Sequence, residues 1–194
     1  MIPTLITFAY LIGSISTAII VCKLFNLPDP RTQGSNNPGA TNVLRIGGRK
    51  AAAITLIGDG AKGAIPVLIA QTMNVDLLTM TLITLAAFLG HVYPIFFGFK
   101  GGKGVATFLG ALFASNYLVA LSFSIIWIFV AKVLKISSMS ALIATLLTPF
   151  IFYFLSNKDV NATYVITLTC IWIFFTHKSN IRRMLSGSEG GIKS

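Results

Sequence analysis

What most constrains this chain is a succession of apolar stretches separated by polar clusters: Ile2 to Phe25, Ala51 to Met73, Leu77 to Phe97, Val105 to Ser115, Leu118 to Leu134, Met139 to Leu155 and Ala162 to Phe175. Crossing a hydrocarbon core takes about 20 apolar residues per helix, so these stretches use most of the 194 residues. Backbone polar groups in lipid must be satisfied within the protein, and stretches of this length satisfy them as helices rather than as barrel strands. The expected fold is therefore all-α: a polytopic membrane helical bundle of seven transmembrane helices, with residues 1–194 as a single domain. The fourth stretch stands apart. At about 1.5 Å per residue it reaches only about half of a bilayer core, which predicts a short helix in a thinned region or one that stops inside the protein.

Composition excludes the soluble alternative, because 55% of residues are hydrophobic and only 10% charged, where a soluble domain has about a quarter charged. The 15 Lys and Arg outnumber the 5 Asp and Glu, and such an excess marks cytoplasmic loops. Seven crossings place Lys23, Arg31, Arg45, Arg49, Lys50, Lys62, Lys100, Lys103, Lys132, Lys135, Lys178, Arg182, Arg183 and Lys193 on one face and only Lys158 on the other. The expected topology has the N terminus outside and the C terminus in the cytoplasm. An apolar chain leaves no continuous basic face for a duplex, so no nucleic-acid partner is expected. Cys22 and Cys170 have no CxxC or His partner at ligand spacing and read as packing residues. The first apolar stretch lacks a basic n-region and a small-residue cleavage site, and is expected to be a retained helix.

The outer connections are short and the inner ones long and glycine-rich, so function is expected on the cytoplasmic side. The first inner loop runs from Asp29 to Arg45 and contains Gly34-Ser35-Asn36-Asn37-Pro38-Gly39-Ala40-Thr41-Asn42. Such a run lets backbone NH groups converge, and with hydroxyls and Arg45 nearby it suits a phosphate; a flexible polar linker is the alternative. The second, His91 to Thr107, carries Gly98-Phe99-Lys100-Gly101-Gly102-Lys103-Gly104. Its glycines allow close backbone approach, Lys103 supplies charge, and the helix after it aims NH groups at the same point. It is not a Walker A loop, since Phe97 stands where that motif needs glycine and Gly104 follows the lysine.

Asp59 and Lys62 are three apart on one helical face, the spacing of an intramembrane ion pair, and Gly58, Gly60 and Gly63 around them predict a close helix contact. His91 reads as a satisfied interior histidine. At the last span's end His177 and Asn180 share a face, on a helix expected along the inner surface. No His is followed five positions later by Asp, as in many lipid acyltransferases. Carboxylates are too scarce for a metal site or for proton-coupled transport.

These motifs, Gly34 to Asn42 with Arg45, Gly90-His91-Val92-Tyr93-Pro94 with Gly98 to Thr107, and His177-Lys178-Ser179-Asn180-Ile181 with Gly187 and Glu189, resemble the three signatures of the bacterial acyl-phosphate-dependent glycerol-3-phosphate acyltransferases. The resemblance covers the whole chain. It implies a multi-pass inner-membrane enzyme, active on its cytoplasmic side, that transfers a fatty acyl group from acyl phosphate to the sn-1 hydroxyl of glycerol 3-phosphate. The products are lysophosphatidic acid and phosphate, as in the first acylation of phospholipid synthesis, with no cofactor and no metal. It further implies that Ser35, Arg45, Lys103, His177 and Asn180 are catalytic. Gly34, Asn37, Gly39, Ala40, Thr41, Asn42, Arg49, Gly101, Gly102, Gly104 and Ser138 are expected at the substrate or its phosphate, and Asp59, Lys62, His91 and Glu189 in structural roles. Three departures stand out: Asn36 replaces a common glycine, Thr176 a usual basic residue, and Ala141, with Ser140 beside it, the second of two serines.

The partners expected are glycerol 3-phosphate, acyl phosphate and membrane lipid, with the chain a monomer. Acyl phosphate already carries a good leaving group, so positioning can supply much of the acceleration. The alternative is a small transporter of an organic phosphate, which inverted repeats would favour; none is found.

Overall fold

The computed structural model describes residues 1–192; Lys193, counted above on the inner face, lies outside them. Among the described residues all regular structure is helical: α1 (Ile2–Gly13), α2 (Thr17–Leu24), α3 (Ala40–Thr72), α4 (Leu77–Val92), a 3-10 turn (Ile95–Phe97), α5 (Val105–Ser115), α6 (Tyr117–Leu134), α7 (Ser137–Leu155), α8 (Val160–Thr176) and α9 (Lys178–Leu185). Five segments are long and apolar enough to cross a membrane, or six if α8 and α9, which meet at 56°, are one bent span. Helix α5 keeps the predicted eleven residues.

Helix α4 packs against α1, α3, α5 and α8, and α3 against α1, α2, α4 and α5. Residues of α4 enter two clusters. Phe88 joins Phe108, Leu112, Phe123, Phe152 and Ile166 in one, while Ile83, Ala86 and Ala87 meet Leu5, Ala9 and Val67 in the other. The α3–α5 crossing is tight because Gly63 abuts the carbonyl of Thr107 and Gly110 that of Gly60, which gives the predicted glycine contact a partner. Cys22 and Cys170 are buried free thiols in separate clusters.

The two ends of the bundle are built differently. At the end with the short connections Asp76, Asn116 and Asp159 each cap the helix that follows, accepting from the amides of Thr79, Val119 and Ala162. A side-chain cap satisfies an otherwise orphaned NH, which is why these connections are only a few residues long. At the other end the long connections converge on one another.

Two elements depart from the sequence pattern. The first stretch is broken at Ser14 to Ser16, leaving the Ile15 carbonyl free to accept from Lys62 Nζ at 2.7 Å. The first motif, expected as loop through Arg45, is loop only to Gly39, whose extended backbone caps α3. The 33 residues of α3 are divided at Gly48 (φ 76°). At about 1.5 Å per residue an unbroken helix would be about 50 Å long, well beyond a bilayer core. The break makes residues 40–47 a separate helical piece ahead of the longer remainder.

Candidate active site

A cavity of about 390 Å³ opens where the long connections meet. Its first wall is the loop before α3, ordered by one buried side chain. Asn42 donates from Nδ2 to the carbonyls of Pro30 and Gln33, both at 2.9 Å, and accepts the Ser35 amide at Oδ1, also at 2.9 Å. Gly34 has φ 61° and its Cα faces Asn42 Oδ1 where a Cβ would collide, so this turn requires glycine. Arg31, clamped on Asp29 at 2.6 Å, donates to the carbonyl of Phe97 at 3.3 Å and ties this loop to the next connection. The arginine holds the Asp29 carboxyl below its ordinary range despite partial burial.

The second wall is the glycine loop. Gly101 and Gly102 donate to the carbonyls of Val92 and His91 at 3.2 and 3.1 Å, and the one proton of Thr176 Oγ1 is shared between the carbonyls of Ile173 at 2.8 Å and Lys103 at 3.2 Å. The residue that departs from the expected basic position therefore sits against the lysine's backbone while bonding chiefly within its own helix. Burial, with Arg183 and Arg45 nearby and against the pull of Glu189, lowers Lys103 to about 8. The cavity is lined by Gly39, Ala40 and Thr41 at the start of α3 and by Gly104, Val105 and Ala106 at the start of α5. Two helix N-termini with their unpaired NH groups thus face one space that also holds Arg45 and Lys103, an arrangement that favours anions. The Arg45 guanidinium is exposed, and its hydrogen bond is to the carbonyl of Gly190 at 3.4 Å.

The third wall is the α8–α9 corner. His177 is buried, and its Nδ1 lies 2.8 Å from the Ile173 carbonyl. A carbonyl can only accept, so Nδ1 carries the proton and Nε2 keeps its lone pair. Burial and Lys103 push this imidazole down to about 4, which keeps it neutral near pH 7. Asn180 donates to Glu189 Oε1 at 2.6 Å, and its own Oδ1 is buried with no partner. Glu189 Oε1 also accepts from Ser138 Oγ, and Oε2 from Arg183 Nε, both at 2.6 Å. Burial raises this carboxyl, but the three donors more than offset it and hold it low.

Of the residues singled out in the sequence, Ser35, Asn37, Gly39, Ala40, Thr41, Asn42, Arg45, Asp59, His91, Lys103, Gly104, Ser138, His177, Asn180 and Glu189 line this one cavity. Gly34, Lys62, Gly101 and Gly102 support it from behind, and Arg49, exposed just past the Gly48 break, is not on its wall. Asn42 and Ser138 are on the wall but their polar atoms are spent on the loop and on Glu189. Thr41 Oγ1 is 3.3 Å from Ser137 Oγ. What sequence reasoning missed is the apolar side, Leu56, Leu109, Phe123, Trp127 and Ile128. The α6 members share a helical face, but a face inside an apolar helix carries no pattern that separates a ligand wall from ordinary packing.

Comparison with known proteins bears on what such a site does. The chain matches the model of the family described as glycerol-3-phosphate acyltransferase over residues 3–187. It is 70% identical over 188 residues to a glycerol-3-phosphate acyltransferase of Ruthia magnifica subsp. Calyptogena magnifica, covering 97% of this chain and 95% of that one. It is 51% identical to one of Hydrogenovibrio crunogenus, covering 95% and 88%. Its fold is similar to crystal structures of PlsY (YgiH), an integral membrane glycerol 3-phosphate acyltransferase. The glycerol 3-phosphate form has a TM-score of 0.92 at 39% identity, covering 99% of this chain and 96% of that one. The lysophosphatidic acid form has 0.88 at 38%, covering 98% and 94%.

Proposed function

This chain belongs to the glycerol-3-phosphate acyltransferase family, and from that premise we propose that its cavity transfers a fatty acyl group from acyl phosphate to the sn-1 hydroxyl of glycerol 3-phosphate. The products are lysophosphatidic acid and phosphate, and the two PlsY structures that the fold resembles are forms with the acceptor and with the product. One observation carries the reading to this chain's own residues. Two acceptors, Asn180 Oδ1, which is buried with no partner, and Nε2 of His177, whose ring bonds through Nδ1, belong to residues that border the same small space as Arg45, Lys103 and two helix N-termini. A hydroxyl to be held by acceptors and a phosphate to be held by donors are the two ends of glycerol 3-phosphate.

The reaction is direct attack. The hydroxyl oxygen of glycerol 3-phosphate adds to the acyl carbonyl, the carbon–oxygen bond to phosphate breaks, and phosphate departs with that electron pair. The proton passes to a phosphate oxygen of the donor; His177, neutral with Nε2 free, is the rival acceptor. Arg45 and Lys103 neutralise phosphate charge, Ser35 and Thr41 donate to its oxygens, and the NH groups of α3 and α5 add preorganised dipoles where charge grows. His177 with Asn180 orients the acceptor. The acyl chain lies along Leu56, Leu109, Phe123 and Trp127, between helices and open to the inner leaflet. The chain crosses the inner membrane seven times as a monomer, N terminus outside, with the site on the cytoplasmic side.

Purified protein is given glycerol 3-phosphate and palmitoyl phosphate without CoA or carrier protein. Phosphate release matched by lysophosphatidic acid is expected; uptake of glycerol 3-phosphate into vesicles without chemistry would make the chain a transporter instead. A labelled acyl group trapped on Ser35 would replace direct attack by an acyl-enzyme.

A further inference from the structure

Between α3 and α4 lies a charged cluster that the reaction does not use. Asp59, Lys62 and His91 are all buried. Lys62 Nζ is 2.9 Å from Asp59 Oδ1 and donates to the Ile15 carbonyl. His91 Nδ1 faces the same Asp59 oxygen at 3.7 Å and has no hydrogen-bond partner. Ions at this depth in a span are costly, and an apolar pair would pack two helices together as well, so their presence calls for a use beyond packing.

That use is indicated by the other edge of the imidazole. A Cβ on Gly102 would collide with His91 Nε2 on one side and with the Pro38 carbonyl on the other, and one on Gly101 would strike the His91 carbonyl. The ring therefore sits where the glycine loop meets the loop before α3, one residue from Lys103 and one from Gly39, the cap of α3. The His91 carbonyl also receives the Gly102 amide. Asp59 and His91 both reach the cavity wall.

We propose that Asp59, Lys62 and His91 are positioning residues for the phosphate site: the ion pair fixes the His91 ring, and the ring sets the spacing between the glycine loop that presents Lys103 and the N-terminus of α3. This rests on the reading of Lys103 as a phosphate ligand. The chain from cause to effect is short. Lys62 is held by the carbonyl freed at the α1–α2 break and Asp59 by Lys62, the Asp59 carboxylate faces the ring edge at 3.7 Å, and Gly102 packs against the ring.

The test titrates inorganic phosphate into the purified full chain by calorimetry and measures transfer kinetics on the same samples. His91→Ala should weaken phosphate binding and raise KM for glycerol 3-phosphate about tenfold to a hundredfold, the effect of a small misplacement of a binding group. kcat should stay within about twofold, the sign of a loss in binding rather than chemistry. Gly102→Ala, which presses on the ring from the loop side, should weaken phosphate binding alone but add less in the His91→Ala background, as coupled neighbours do. If His91→Ala fails to fold, His91→Gln, which keeps a buried amide and alters the edge towards Asp59, is read in the same way. Unchanged phosphate affinity and KM in the folded variants, or a loss confined to kcat, would overturn the positioning role. An unaltered chain that binds no phosphate overturns the phosphate-site reading and this proposal with it, whereas phosphate binding without transfer overturns only the proposed reaction.

Discussion

Asp59 and Glu189 are both carboxylates on the wall of one cavity, yet Asp59 is paired with a lysine one helical turn away, while Glu189 collects Ser138, Asn180 and Arg183 from α7 and α9. The first is an ion pair inside a helix, with its second neighbour, His91, left at 3.7 Å. The second is a hub whose three hydrogen bonds are all 2.6 Å. The Asp59 cluster has few hydrogen bonds to lose but two buried charges that need each other. The Glu189 cluster lies near solvent, and its value is in orienting Asn180 so that Oδ1 points away from the carboxylate. One region should therefore answer mutation in stability and phosphate affinity, the other mainly in turnover.

The largest expected effect tests the first half of that contrast. Asp59→Ala leaves the Lys62 ammonium buried without a counter-charge and should cost about 3–5 kcal/mol, read as thermal unfolding in detergent. Replacing both, Asp59→Leu with Lys62→Met, should recover most of that stability while phosphate affinity stays weak. A single mutant as stable as the parent would show that water reaches Lys62.

Glu189→Gln comes next and should invert the pattern. Stability should fall by only about 1 kcal/mol, the size of an ordinary hydrogen-bond loss, while kcat/KM falls about tenfold or more because Asn180 is no longer held. Acid should do the same without mutation. The folded carboxyl is held below its unfolded value of about 4.3, so its contribution is present above that value and is lost as pH falls through the folded pKa. Transfer should fail reversibly in that acid range in the parent, and the Gln variant should lack that limb.

A smaller effect separates charge from geometry at Lys103. Its ammonium, at about 8 in the free protein, should give an alkaline limb in kcat/KM near that pH. The limb should move upward in kcat, because bound phosphate favours the charged form. Lys103→Arg should remove the limb, since a guanidinium stays protonated. The smallest effect is behind the lysine: Thr176→Val removes the hydroxyl shared between the Lys103 and Ile173 carbonyls and should lower kcat/KM by a few fold at most, consistent with about 1 kcal/mol or less. A limb that persists unchanged in Lys103→Arg would assign the titration to another group.

These contrasts also mark how far the residues could be read in order. The Asp59–Lys62 pair follows from helical spacing alone, and the glycines around it from their density. The Ser138–Glu189 contact spans 51 positions, and that between Arg45 and Gly190 spans 145; neither leaves a local pattern. The motif resemblance places Asn42 at the substrate, and nothing local in the sequence tells that its amide makes three bonds that shape the loop. Thr176, a departure in the motif, lies against the lysine's carbonyl from another helix.

By itself the sequence determined what local periodicity and solvent preference encode: a helical membrane chain, its short fourth apolar stretch, polar motifs gathered at one end, and a family resemblance strong enough to point to the chemistry. Only the tertiary structure decided which polar atoms are already committed and which remain free. Hydrogen bonding is exclusive, and a donor used on the loop or on Glu189 is lost to a ligand. That choice depends on distances between segments that only the packed helices fix.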